Sequence, residues 1–272
     1  MRISTVLLCP LIGLATLLTS CARPGVHASN PSVSTTRISY PVQRLSDPRH
    51  GAVAGPMDPD LRVGPIFLNG GPMHVCTGSV VHSARGNLVM TAAHCLAGAS
   101  QIAFAPGFAG DAAPTDLWTA DAVYLDQRWI AGKDPHADYA IARVSSQRGG
   151  SVESHIGLAL SLGKAPTSGS RVTVMGYPSG VGGSLIGCQA STGVTDSGFP
   201  SLACEGLVGG TSGAPWVSGT TITGLIGGLQ GGGCAENVSY SAPFDEYTAQ
   251  LLTRADAGGP GDPVPNDVED PC

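Results

Sequence analysis

The chain has 272 residues, of which 42% are hydrophobic and 12% charged, with 39 glycines, 21 prolines and a formal net charge of −6. That length buries a sizeable core in one or two compact units. A charged fraction far below the roughly 25% of ordinary soluble domains, with no lysine or arginine cluster, leaves a nucleic-acid partner no electrostatic footprint.

At the N-terminus Arg2 is followed by an apolar run from Val6 to Leu18. Such a run is short for a bilayer span and suits the core of an export signal, so residues 1–20 are read as a signal peptide. The run ends in "LTSC", Leu18 to Cys21, which resembles the lipobox of bacterial lipoproteins. That resemblance predicts acylation of Cys21, a membrane anchor and an extracytoplasmic location. The alternative is a plain cleaved signal, with the protein secreted. With Cys9 and Cys21 set aside, Cys76, Cys95, Cys188, Cys204, Cys234 and Cys272 remain. An even count in an exported chain reads as disulfides. No cysteine or histidine pair has zinc spacing, so neither a metal nor a cofactor is expected.

Residues 21–60 are rich in Ser, Pro, Thr, Gly and Arg and read as a tether or propeptide. From Leu61 to about residue 253, short apolar runs alternate with Gly, Pro and Asp: "VGPIFL", "CTGSVV", "NLVMTAA", "YAIARV", "RVTVMGY", "APWVSG" and "TITGLIGG" are among them. Strand-length runs with turn punctuation predict an all-β sandwich or barrel. Only "PFDEYTAQLLTRA" reads as helix, opened by Pro243, with Asp245 and Glu246 suited to its positive end. Residues 254–272 form an acidic, Pro- and Gly-rich tail that is expected to be mobile.

Three stretches carry chemistry. In "GLVGGTSGAPWV", Ser212 sits among glycines, which allow unusual backbone angles and close approach. In "LVMTAAHC", a strand-like run ends in His94, and in "DPHADYAIARV", Asp138 stands just before an apolar run. Taken singly, each has a bland explanation: loop filler, structural histidine, turn cap. Taken together they supply a nucleophile, a base for its proton and a carboxylate to hold the base. Gly210 and Ser212 supply backbone N–H groups for an oxyanion hole.

"TAAHC", "DYAIARV" and "GTSGAP", in the order His, Asp, Ser, resemble the chymotrypsin-like serine peptidases, and "GYP" with "GGTSGAPW" is similar to the bacterial trypsin-like and V8-like secreted members. The resemblance spans roughly residues 61 to 253. It implies two six-stranded Greek-key β-barrels with the active site between them, a short C-terminal helix, a monomer and a polypeptide substrate. It departs from the animal enzymes at Thr211, where they carry aspartate, and no "IVGG"-type start precedes "CTGSVV"; activation by a freed N-terminus is therefore not expected. Ala214 stands where glycine is usual. His136 is read as a surface residue, and His50, His74 and His82 receive no role.

The resemblance further implies a Cys76–Cys95 bridge. A turn near Asp196–Gly198 would set Cys188 level with Cys204, leaving Cys234 for Cys272; the competing set joins Cys204 to Cys234. For the primary pocket the resemblance points to Gly206, Leu207, Gly227, Gly228 and Leu229, with Leu225 and Ile226 nearby. The pocket floor then falls on Gly206 rather than on a carboxylate, which predicts an apolar preference; Glu205 is the rival, favouring Lys or Arg. A binding module that keeps the fold without strong catalysis is the alternative function. An α/β-hydrolase esterase would need the triad in the reverse order.

Overall fold

The computed structural model describes residues 51–113, 116–235 and 237–266. The signal, the "LTSC" motif with Cys21, His50 and Cys272 lie outside them. The described residues all belong to one compact unit, Leu45–Cys272.

The strands in chain order are β1 (Ala52–Val53), β2 (Gly55–Pro56), β3 (Val63–Leu68), β4 (His74–Val81), β5 (Leu88–Thr91), β6 (Ile102–Phe104), β7 (Trp118–Leu125) and β8 (Ala140–Ser145), with a short helix α1 (Gln127–Gly132) between β7 and β8. A second short helix, α2 (Val152–Ile156), precedes β9 (Ser161–Leu162), β10 (Arg171–Gly176), β11 (Ile186–Val194), β12 (Pro200–Glu205), β13 (Pro215–Ser218), β14 (Thr221–Leu225) and β15 (Val238–Tyr240); helix α3 (Glu246–Ala257) follows. The fold is mostly β, as expected.

The first half closes into a barrel in the order β3-β4-β5-β8-β7-β6. Its wall is built from the apolar runs seen in the sequence: all four residues of β5 are buried, as are all of β4 except Val75. Closure leaves the barrel no free edge. The second half is a nine-stranded sheet along the path β1-β12-β11-β10-β13-β14-β9, with β15 on β12 and β2 on β11. It therefore has more strands than the six expected, because the two-residue strands β1, β2 and β9 add to its edges. Strands β1 and β2 fall inside the stretch whose composition reads as tether.

Helix α3 starts as its sequence suggests. Asp245 is the N-cap and accepts from the N–H groups of Tyr247 and Thr248, while Leu251 and Ala255 are buried. The tail beyond it departs from expectation. Asp262 accepts the Leu125 N–H at 2.8 Å and pairs with Arg254, and Gly259 O accepts from Tyr124 Oη and Arg143. The Gly98 N–H donates to Pro265 O. Residues 258–266 are thus fastened along β7, because an acidic side chain in a Pro-rich run found orphan backbone donors to satisfy.

Candidate active site

Strand register brings the first two candidate residues together. In the β5–β8 ladder Thr91 pairs with Ala140. His94 lies three residues beyond Thr91 and Asp138 two before Ala140, so both reach the same end of the barrel. His94 opens a 3-10 turn, His94–Leu96, whose Cys95 and Leu96 are buried. Asp138 caps another such turn, Pro135–Ala137.

His94 Nδ1 donates to Asp138 Oδ2 at 2.8 Å, and the His94 backbone N–H donates to Oδ1 at 2.9 Å. The Gly228 N–H gives the carboxylate its third bond, to Oδ2 at 2.8 Å. The Asp138 side chain is only 1% exposed and that of His94 is 24% exposed. Burial alone would raise the Asp138 carboxyl, but the His94 charge and these three donors outweigh it and hold its pKa below the ordinary value. Burial likewise works against a charged His94, yet the Asp138 carboxylate and its hydrogen bond lift the imidazole above its ordinary value. With Nδ1 committed to the carboxylate, Nε2 is the nitrogen that carries basicity outward.

The second half mirrors this arrangement. In the β13–β14 hairpin Pro215 pairs with Leu225. Ser212 lies three residues before that pair and Gly228 three after it, at the same end. The loop carrying Ser212 docks on the barrel, since the Thr77 N–H donates to Ser212 O at 2.8 Å. Ser212 is half-buried, and its hydroxyl makes no hydrogen bond among the described residues. The His94–Asp138 link is thus formed, while Ser212 is brought to the site through its backbone. Catalytic hydrogen bonds in unliganded sites are often long and tighten on substrate binding.

The loop's N–H groups have definite directions. Ser179 N–H donates to Gly209 O at 2.8 Å, and Ala214 N–H donates to Thr211 O at 2.9 Å. In a planar trans peptide the N–H points opposite to the carbonyl. The Gly210 and Ser212 N–H groups therefore point away from Ser179 and Ala214, and neither has an acceptor among the described residues. Gly210 has φ of +95°, and a Cβ there would lie 2.0 Å from Ser179 N, so only glycine fits.

The pocket candidates spread out. Gly206 and Leu229 are half-buried, while Gly227 and Gly228 are buried beside Asp138. Leu207 packs in the second core with Ile226, and Leu225 packs in the first. Glu205 is exposed, on the β12 face opposite the buried Leu202 and Cys204. His136 stacks on Phe199 with ring centroids 4.2 Å apart and holds Asp134 through Nδ1. The Gly228 amide is the feature that residue type could not signal, since every residue but proline has one.

Disulfides join Cys76 to Cys95 and Cys188 to Cys204, as expected, with Cα separations of 6.0 and 6.6 Å. Because Cys204 is joined to Cys188, the competing Cys204–Cys234 pairing is not formed; Cys234 is disulfide-bonded, and its expected partner Cys272 lies outside the described residues. Among the described residues one grouping of ligand types, Cys76, His94 and Cys95, comes within 4.8 Å. Its two sulfurs are bonded to each other and offer no thiolate to a metal.

The sequence matches the family model described as trypsin-like peptidase domain over residues 76–226. No curated protein matches. Among solved structures, the fold is similar to the protease Anisep from Arthrobacter nicotinovorans, at 25% identity and a TM-score of 0.66, covering 76% of this chain and 100% of that one. It is similar also to a thermostable serine protease, AL20, from an extremophilic microorganism, at 25% identity and a TM-score of 0.64, covering 74% and 99%. A structure of Glu endopeptidase shares the fold at 16% identity and a TM-score of 0.60, covering 76% and 97%.

Proposed function

Because the chain belongs to the trypsin-like peptidase domain family, and is thereby a hydrolase of polypeptides, we propose that it is a serine endopeptidase with Ser212 as nucleophile, His94 as general base and Asp138 as the carboxylate that orients it. The observation that carries this reading is the His94 Nδ1–Asp138 Oδ2 bond, with Ser212 delivered by the facing loop. His94 Nε2 takes the Ser212 proton as Oγ attacks the scissile carbonyl. Negative charge on the carbonyl oxygen is met by the Gly210 and Ser212 N–H groups. His94 then gives the proton to the leaving amine, and water repeats the sequence on the acyl-enzyme.

The primary pocket lies around Gly206, Leu207, Gly227, Gly228 and Leu229, and takes an apolar side chain. The protein acts outside the cytoplasmic membrane, held there by lipid on Cys21, as a monomer; the Cys76–Cys95 and Cys188–Cys204 disulfides fit an oxidising compartment. The test is fluorophosphonate labelling together with peptide hydrolysis. Both are expected in the wild type and neither in Ser212→Ala, and hydrolysis surviving in that variant would overturn the assignment.

A further inference from the structure

The two N–H groups assigned to the oxyanion are aimed through the Gly209 and Thr211 carbonyls, and the carbonyls of the two residues that carry them, Gly210 and Ser212, end on one residue of the opposite half. Thr77, in β4, donates its hydroxyl to Gly210 O at 3.0 Å and its N–H to Ser212 O at 2.8 Å. The same hydroxyl accepts the Tyr177 N–H at 2.9 Å, and the Thr77 carbonyl accepts the Thr91 hydroxyl at 2.7 Å. Thr77 is fully buried. A hydroxyl has one proton and two lone pairs. With Tyr177 occupying a lone pair, the single proton is directed to Gly210 O, so the bond is fixed in direction as well as in length.

We propose that Thr77 is a positioning residue for catalysis: its side chain and backbone hold the Gly210–Ser212 segment as a rigid bracket, so that both N–H groups converge on the developing oxyanion. The backbone bond to Ser212 O is open to any residue, but the bond to Gly210 O needs a hydroxyl. Removing the hydroxyl leaves Gly210 O and the Tyr177 N–H unpaired, and both seek new partners. The Gly210–Thr211 peptide then keeps the Thr211 N–H bond to Val208 O as its remaining tether, and the loosened Gly210 Cα lets the Gly210 N–H, on the preceding peptide, shift. The binding surface for the rest of the substrate is untouched, so the loss falls on the chemical step.

This inference rests on the proposed peptidase reading, and its test separates the two. Thr77→Val keeps the shape and removes the hydroxyl; Thr77→Ser keeps the hydroxyl. Turnover is measured per labelled site, along with inhibition by a peptide aldehyde, whose adduct places an oxyanion in the hole, and by the matching peptide amide, which forms no adduct. In Thr77→Val kcat is expected to fall about 10- to 100-fold with KM within about threefold, and the aldehyde to weaken by a similar factor while the amide is unchanged. Thr77→Ser restores both to within about threefold. Where Thr77→Val does not fold, Thr77→Ala against Thr77→Ser gives the same comparison. Wild-type turnover in Thr77→Val, a Thr77→Ser variant no faster than Thr77→Val, or equal weakening of aldehyde and amide would each overturn the proposal. Activity persisting in Ser212→Ala overturns the peptidase reading instead.

Discussion

The Gly228 N–H donates to Asp138 Oδ2 at 2.8 Å, so the second half of the molecule grips the carboxylate that the first half presents to His94. Gly228 has φ of +82°, and a Cβ there would lie 2.6 Å from Ala242 N and 3.1 Å from Pro135 O. The donor is a backbone atom, and its aim depends on a conformation that side chains disfavour. Gly228→Ala is expected to lower stability by about 1–3 kcal/mol and to lower kcat as Asp138 shifts. Denaturant unfolding and steady-state kinetics on the same variant check both effects.

The His94–Asp138 pair sets a pH dependence. His94 must be neutral to act as base, and its pKa is raised by Asp138 against burial. The acidic limb of kcat/KM is therefore expected above the ordinary imidazole value. In Asp138→Asn the raising charge is gone, so the limb moves to lower pH while kcat drops roughly 10⁴-fold. The same pair contributes to stability with two signs. The raised His94 contributes fully below its unfolded pKa, and this contribution fades as pH rises through the folded value. The depressed Asp138 contributes above its unfolded pKa, and this is lost as pH falls through the folded one. A pH–rate profile of both proteins decides the first point and a pH series of unfolding midpoints the second.

Neighbouring glycines in the loop should respond unequally. A Cβ on Gly210 would meet Ser179 N at 2.0 Å, whereas one on Gly209 would meet nothing nearer than Ser179 Oγ at 4.0 Å. Gly210→Ala is expected to cut kcat by about 10²-fold or more, on the scale of losing an oxyanion donor. Gly209→Ala should remain within about threefold of wild type. Similar losses in the two variants would refute the donor geometry assigned to Gly210.

How much of this was legible beforehand depended on what carries each feature. His94, Asp138 and Ser212 stand in motifs whose residue types and order point to the chemistry, and the β5–β8 register explains why residues 44 apart in sequence meet. The Gly228 contact starts from a backbone N–H and the Thr77 hydroxyl ends on a backbone carbonyl, groups that have no residue signature. Leu225 and Ile226 were expected near the pocket from the resemblance; in the structure Leu225 is buried in the first core and Ile226 with Leu207 in the second. The helices α1 and α2 have six and five residues, too few to show a helical period. The tail's composition predicted mobility, yet Asp262 anchors it to the Leu125 N–H and Arg254, a long-range pairing that composition does not encode.

The disulfides close loops with separations of 19 and 16 residues. Removal of either, as a paired Cys→Ser change, is expected to cost about 3 kcal/mol of stability. Their effects on activity should differ. Cys95 follows His94 directly on the same turn, whereas Cys188–Cys204 joins β11 to β12 in the second sheet. Loss of Cys76–Cys95 should therefore lower kcat at temperatures where the fold persists, and loss of Cys188–Cys204 should leave kcat near wild type. Unfolding curves with parallel assays measure both.

Specificity is the remaining question, and it turns on where charge can reach the pocket. Burying a charged P1 side chain without a partner is costly. Gly206 offers no side chain, Leu207 is buried in the second core, and Leu229 is half-buried. The nearby carboxylate, Glu205, lies on β12. Side chains alternate along a strand; Leu202 and Cys204 are buried, and Ala203 and Glu205 are exposed on the other face. Val53 pairs with Glu205 in the β1–β12 register, and the Ala54 N–H donates to Glu205 O, which fixes that backbone. Glu205 is thus turned from the buried face that continues into Leu207, and an apolar P1 preference is expected. A peptide-library cleavage profile checks it. Strong cleavage after Lys or Arg, lost in Glu205→Gln, would mean that the carboxylate enters the pocket and that the strand alternation does not carry through Gly206, whose φ of +88° is the point where the chain leaves the strand.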